Sequence, residues 1–426
     1  MGWLSGEQAL RVLFALPVGV LLARYLGAER FGLLCYAQAL VTMFIPLAAS
    51  GMSGIVVRDL VREGCSKEET LGSAFMIQFV GATLAALLSI IAVLILRPGE
   101  TLVQLIVVIV SARNLFAAFN VIDYWYQHKV DPGQVATGRL LAAFLIAGVK
   151  LLLIWLKASL LYFAAVLVAE VALIAGFFYY IYVNDADRLD PWRVSIDRVK
   201  SLLYESWPLT LTGFAILVQA YIDQVMLGNM LGDEVVGQYS VAIRLIGYLA
   251  FLPVALHKSW APSVTAAKEK GQEAYDRRMS QLYQLMFGIF LLQGIPIFLL
   301  ASPLILLVYG EEFSEAGTLL SLLAIRLLFT NYGLARGVFI ANESLFRHSM
   351  ITAIAGSVFN VAANYLLIPH FGAIGAIIAT IGSFAVTVFI LDAMYDGTKN
   401  NFKLMMQSPW RASSNAMRFV VARVNV

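Results

Sequence analysis

The chain has 426 residues, of which 60% are hydrophobic and only 13% charged, with a formal net charge of +3. Soluble domains carry about a quarter charged residues, so this composition cannot coat a water-soluble core, and a near-neutral balance offers no footing for nucleic acid. What remains is an all-α polytopic membrane protein, because lipid leaves backbone N–H and C=O groups no partner outside a helix.

In chain order, apolar runs between polar breaks predict twelve spans, over 6–23, 32–53, 71–96, 101–122, 136–156, 159–183, 208–228, 235–256, 280–302, 316–340, 348–368 and 372–394. The first holds Pro17 and Arg11, with no basic stretch before it and no small-residue cleavage site, and is read as a retained span. Pro98–Gly99, Asp131–Pro132–Gly133 and Gly310–Glu311–Glu312 mark breaks, whereas only the region around Lys157 divides the fifth span from the sixth. Cys35 and Cys65 have no CxxC spacing and read as free thiols. His128, His257, His348 and His370 lack ligand spacing and read as polar groups at helix ends, so neither a metal nor a cofactor is expected.

Lys and Arg orient the spans. With the N-terminus inside, 20 of the 30 fall on inner loops and the tail, including Arg58, Arg62, Arg198, Lys200, Lys268 and, near the end, Arg411, Arg418 and Arg423. The other side has only Arg24, Arg30, Arg97 and Lys157. Inner loops are enriched in these residues, so both termini are expected in the cytoplasm. Arg11, Arg113, Lys150, Arg244, Arg326 and Arg336 lie within spans.

The spans also repeat. Leu26-Gly27, Glu29, Gly32, Ala37 and Leu40 match Leu231-Gly232, Glu234, Gly237, Ala242 and Leu245 at an offset of 205; Arg113, Leu115 and Phe116 match Arg326, Leu328 and Phe329 at 213. Both offsets relate spans six apart, which predicts two parallel six-helix lobes: 1–195, 196–396, and a cytoplasmic tail over 397–426. The polar 184–207 segment is the expected linker, and the substrate is expected between the lobes.

An ionisable group within a span costs roughly 2.5–3.5 kcal/mol on insertion scales and so faces a cavity or a partner. Arg113 and Arg326 occupy equivalent places in the fourth and tenth spans, with Arg244 mid-span in the eighth and Tyr248 one turn on. A lumen of arginines suits phosphate, since the guanidinium fork donates two hydrogen bonds. Lys150 and Glu170 are expected to pair, although Lys150 could also join the lumen, and Arg336 to snorkel to the interface. Asp223, with Gln219 one turn away, and Glu170 are candidates for a coupling ion. Asn360 and Asn364 read as interhelical hydrogen-bonding groups. Tyr124-Trp125-Tyr126 reads as an interfacial aromatic belt, with a sugar-stacking role for Tyr124 and Tyr248 as the alternative.

Two segments carry a family resemblance. Leu21-Leu-Ala-Arg-Tyr-Leu-Gly-Ala-Glu-Arg-Phe-Gly32 resembles the first-loop signature of Wzx-type flippases. Asn360-Val-Ala-Ala-Asn-Tyr-Leu-Leu-Ile-Pro-His-Phe-Gly-Ala-Ile-Gly-Ala376 with Ala379-Thr380 resembles their signature at the eleventh and twelfth spans. These belong to the polysaccharide transporter branch of the MOP exporter superfamily. The resemblance implies a V-shaped bundle of two lobes in the bacterial inner membrane, flipping undecaprenyl-diphosphate-linked oligosaccharide through a cationic lumen. It implies H+ or Na+ as coupling ion, and leaves open partnership with a polymerase and a chain-length regulator. Lipid II flippases of the superfamily usually carry two further spans, which this chain lacks.

Two other functions compete. A multidrug exporter of the same fold would need acidic or aromatic pockets for cations, whereas the mid-span charges lean basic. A membrane-embedded polymerase or ligase would need a long outer loop with catalytic groups, and every predicted outer loop is short.

Overall fold

The computed structural model describes residues 2–49, 51–62, 65–130, 132–189 and 191–410, with side chains described from residue 14 onward except 132. Arg411, Arg418 and Arg423 of the expected tail lie outside the described residues. Helix dominates, and no strand occurs among the described residues.

The helices run α1 (Gly2–Met43), α2 (Ile45–Ala49), α3 (Ser53–Val61), α4 (Lys67–Leu96), α5 (Thr101–Ser111), α6 (Arg113–Phe116), α7 (Val121–His128), α8 (Pro132–Trp155) and α9 (Leu160–Val183). They continue as α10 (Ile196–Leu231), α11 (Asp233–Leu249), α12 (Phe251–Glu269), α13 (Gln272–Tyr309), α14 (Ser314–Leu323), α15 (Arg326–Asn342), α16 (Phe346–Ala385) and α17 (Leu391–Met394). Among the described residues nine helical stretches are long and apolar enough to cross a membrane, and a tenth if the bent pair Glu311–Leu323 and Arg326–Asn342 is one span. Two of the nine, Phe14–Val61 and Phe346–Met394, each cover two expected spans, with a non-helical Gly27 in one and Gly372 in the other.

Outward-facing side chains invert the soluble pattern: Ile95, Leu145, Leu299, Leu307 and Leu366 are all exposed. Hydrocarbon is the solvent that makes such a surface stable. The helices also outrun the apolar runs that predicted them. The expected ninth span, 280–302, is the middle of α13, which ends at Gly271 and Gly310, both at positive φ. Backbone chemistry, not the hydropathy boundary, stops the helix. The start of α4 is set similarly, with the Ser66 hydroxyl accepting from the Glu69 amide at 3.2 Å in a Ser-x-x-Glu cap.

The repeat is written into the backbone. Gly27 and Gly232 both sit at positive φ, as do Gly99 and Gly310, Val130 and Ser344, and Lys157 and Gly372. Read along the chain, these turn pairs are separated by 205, 211, 214 and 215 residues, bracketing the offset of 213 between the two mid-span arginines. The helices break at matching places too: after Met43 and Leu249, and immediately before Arg113 and Arg326.

The chain divides into two compact units, 1–237 and 238–426. The boundary falls later than the repeat alone suggests, because α10 packs on α1, α2 and α4. In the first unit the core gathers Met52, Val56, Leu71, Trp125 and Phe178. The second unit is built around Tyr275, Met279, Tyr283, Phe339 and Val388.

Candidate functional site

The fourth expected span is one helical stretch, Thr101–His128, with local irregularities inside it. α5 ends at Ser111, Arg113 opens α6, and a 3-10 turn over Ala117–Asn120 leads into α7. A 3-10 turn winds tighter than an α-helix, so four residues of it rotate the following face by roughly 80°. Arg113 and Tyr124 therefore do not share a face. Tyr124 turns into the core, where its hydroxyl accepts from Gln78 Nε2 at 3.1 Å. Its neighbours follow: Trp125 donates to Asp185 at 3.2 Å and Tyr126 to the Ile181 carbonyl at 3.1 Å. All three rings are buried in the core of the first unit, not in an interfacial belt.

Arg113 lies within electrostatic reach of Glu170 on α9 and Tyr221 on α10. Glu170 is 3.5 Å from Lys150 Nζ on α8, so the expected Lys150–Glu170 pair forms. Asp223, two residues beyond Tyr221, is fully buried, with Gln219 and Gln224 buried on the same helix. Tyr221 is a neighbour that sequence reasoning did not select, since a lone tyrosine in an apolar run carries no signal of its own.

α14 and α15 meet at 47°, and Arg326 is the first residue after the bend. Its guanidinium lies over the Phe384 ring at 5.3 Å, and its Nε is buried without a hydrogen-bond partner. A cation on a ring face keeps its charge at modest cost. Arg244 and Tyr248 are half-buried one turn apart on α11, with Arg244 engaged by a neighbour.

Arg336 does not snorkel. It is buried, and its Nε and Nη2 grip Asp392 at 2.7 and 2.8 Å, while His348 Nε2 meets the same carboxylate at 2.8 Å. Thr352 accepts a further bond from Arg336 at 3.2 Å. A fully buried bidentate partner outweighs the route to the interface. The signal existed in the sequence, because Asp392 ends the last apolar run as Arg336 ends the tenth. Asn360 and Asn364 are both buried and bond each other at 3.2 Å within α16. Among the described residues no cluster of three His, Cys, Asp or Glu side chains could hold a metal, and Cys35 and Cys65 are free thiols.

Comparison with known proteins agrees with this architecture. The chain is 26% identical over 415 residues to a putative O-antigen transporter of Shigella flexneri, covering 92% of this chain and 94% of that one. It is 30% identical over 166 residues to a probable flippase, AglR, of Haloferax volcanii, a match spanning 38% of this chain and 35% of that relative. In fold it resembles the lipid II flippase MurJ in an inward closed conformation (TM-score 0.72, 14% identity, covering 97% and 92% of the two chains). It equally resembles an inward-facing multidrug resistance MATE family transporter of the MOP superfamily (TM-score 0.69, 17% identity, covering 95% of each). Residues 1–255 match the family described as polysaccharide biosynthesis protein, and with well over half its length inside that match the chain belongs to this family.

Proposed function

We propose that this protein is a flippase that moves diphosphate-linked polyprenyl oligosaccharide, of the undecaprenyl type, from the cytoplasmic to the periplasmic leaflet of the inner membrane. The observation that carries the reading is the pair of arginines placed alike in the two halves, each opening a helical piece part-way along its expected span. Arg113 lies within electrostatic reach of Glu170, the carboxylate that pairs with Lys150, and Arg326 keeps an unspent buried donor. Such groups attract a diphosphate far more strongly in a low-dielectric interior than in water. The near full-length similarity to a putative O-antigen transporter supports the same substrate class.

In this reading both termini are cytoplasmic, the twelve spans form lobes over 1–195 and 196–396, and Arg113, Lys150, Arg244 and Arg326 hold the diphosphate as the lobes alternate in access. Tyr248 is the aromatic left for the glycan. Asp223 or Glu170 binds the coupling ion, H+ or Na+, since a buried carboxylate exchanges its charge for a proton or cation at least cost. A polymerase and a chain-length regulator would take the product onward.

The test is translocation of a lipid-linked oligosaccharide in proteoliposomes, comparing wild type with Arg113→Ala and Arg326→Ala at equal protein. Robust flipping that falls about tenfold or more in each variant, the equivalent of roughly 1.4 kcal/mol, supports the assignment. Folded wild type that moves an organic cation but no lipid-linked sugar would establish the exporter alternative instead.

A further inference from the structure

Arg97 follows α4, on the side of the short loops poor in basic residues, and is 7% exposed. Its Nε donates to Asn229 Oδ1 at 2.9 Å, Nη1 to Glu100 at 2.8 Å, and Nη2 to Asp233 at 3.0 Å and to the Gly228 carbonyl. The guanidinium also lies over the Tyr36 ring, 4.7 Å from its centroid, and the Tyr36 hydroxyl donates to Asn229 at 3.0 Å. A Cβ on Gly228 would come within 2.6 Å of that ring and 2.9 Å of Arg97 Nη2, so glycine lets the end of α10 approach this closely.

All six residues belong to the first compact unit, yet they come from both halves of the repeat. Tyr36, Arg97 and Glu100 lie in the first half; Gly228, Asn229 and Asp233 lie in the second, where α10 gives way to α11. The turn itself does not need the cluster. At the offset of 211 that relates Gly99 to Gly310, Arg97 corresponds to Val308, and the positive-φ glycine turn forms there all the same. Each nitrogen of the Arg97 fork already has an acceptor, so the cluster joins the two halves rather than receiving a ligand. Charge makes that joint conditional on one residue. Glu100 from one half and Asp233 from the other meet a single cation, and without it the two carboxylates would repel each other across the boundary.

We propose that the Arg97 cluster is the outer gate of the transporter: it holds the first and second halves together on the side of the basic-poor loops and parts each time that side opens. This rests on the flippase reading above, in which the lobes alternate in access, and adds the residue that keeps one side shut. A planar fork serves acceptors on both halves at once, which the point charge of a lysine does not. Losing the fork therefore shifts the population towards the state that is open on this side.

The experiment uses the full-length protein in nanodiscs, with Cys35→Ala and Cys65→Ala. Spin labels go on Thr101→Cys and Glu234→Cys, exposed positions beside Glu100 and Asp233. With Arg97 in place the pair is expected to report one short distance as the main population, and Arg97→Gln to add a second, longer one. Arg97→Lys should fall between the two. Asn229→Ala, which removes an uncharged partner, gives a second reading of the same distance should Arg97→Gln fail to fold. In a separate variant, Glu100→Cys and Asp233→Cys are bridged by a reducible bismaleimide in place of the two ion pairs. The bridge should cut flipping of lipid-linked oligosaccharide about tenfold or more, with recovery on reduction. An unchanged distance in the Arg97 and Asn229 variants, a cysteine pair that does not bridge, or undiminished flipping by the bridged protein overturns the proposal. The distances stand apart from transport: folded wild type that flips nothing while Arg97→Gln still lengthens the distance removes the flippase reading and keeps the gate.

Discussion

Gly32 and Gly237, equivalent residues of the two halves, lie against each other's helix start. A Cβ on Gly32 would sit 2.7 Å from the Gly237 amide nitrogen and collide with the Asp233 carbonyl; a Cβ on Gly237 would collide with the carbonyl of Ala28, the counterpart of Asp233. The contact is reciprocal between the two copies of the motif. It explains why these glycines recur in the repeat: backbone meets backbone, and no side chain fits between.

It follows that Gly32→Ala and Gly237→Ala each destabilise by about 1–3 kcal/mol through overpacking. Gly247→Ala is the control, since its Cβ would meet nothing within 4 Å and helix propensity favours alanine by about 1 kcal/mol. Thermal unfolding in detergent should lower the midpoint for the first two and hold or raise it for the third.

Lys157 and Gly372, 215 residues apart at matching turns, both sit at positive φ, 52° and 59°. One half uses glycine there; the other holds a lysine at a cost of about 1–2 kcal/mol. Lys157→Gly should raise stability by about 1 kcal/mol, and Gly372→Lys should lower it by at least as much. If the unfolding midpoint of Lys157→Gly stays level or drops, the turns are not equivalent in energy.

The Arg336–Asp392 pair is buried on both sides, at 7% and 0% exposure. Removing one partner leaves the other charge uncompensated, so Arg336→Met or Asp392→Leu alone should cost about 3–5 kcal/mol. The double substitution should cost less than either single change, because no charge is left buried. A double variant as unstable as the sum of the singles would show that the pair acts independently of charge.

Outside the spans, Asp185 receives Lys129 Nζ at 2.8 Å and Trp125 Nε1 at 3.2 Å. Burial pushes its carboxyl up, but the Lys129 and Asp187-amide hydrogen bonds, the Trp125 donor and the Lys129 charge outweigh this and hold it below the usual carboxylate range. A depressed carboxylate stabilises fully above its unfolded pKa and loses that contribution as pH falls through the folded value. Asp185→Asn should therefore cost about 1 kcal/mol at neutral pH. The difference from wild type should close below about pH 4, as read by unfolding midpoints across a pH series.

Sequence and structure divide the explanation along physical lines. Hydropathy runs alone specified a helical membrane protein with many apolar spans, because lipid tolerates no other backbone state for such segments. Spacing alone exposed the repeat, since Gly27, Gly32, Arg113 and their counterparts hold places that backbone geometry requires. Which side chains meet was decided elsewhere. The 3-10 turn before α7 rotated Tyr124 into the core, Asp392 captured Arg336, and Glu170 met Lys150. Apolar periodicity is local and survives in one dimension. Partner choice depends on rotation about each helix axis and on depth in the bundle, and a single break in a span resets both.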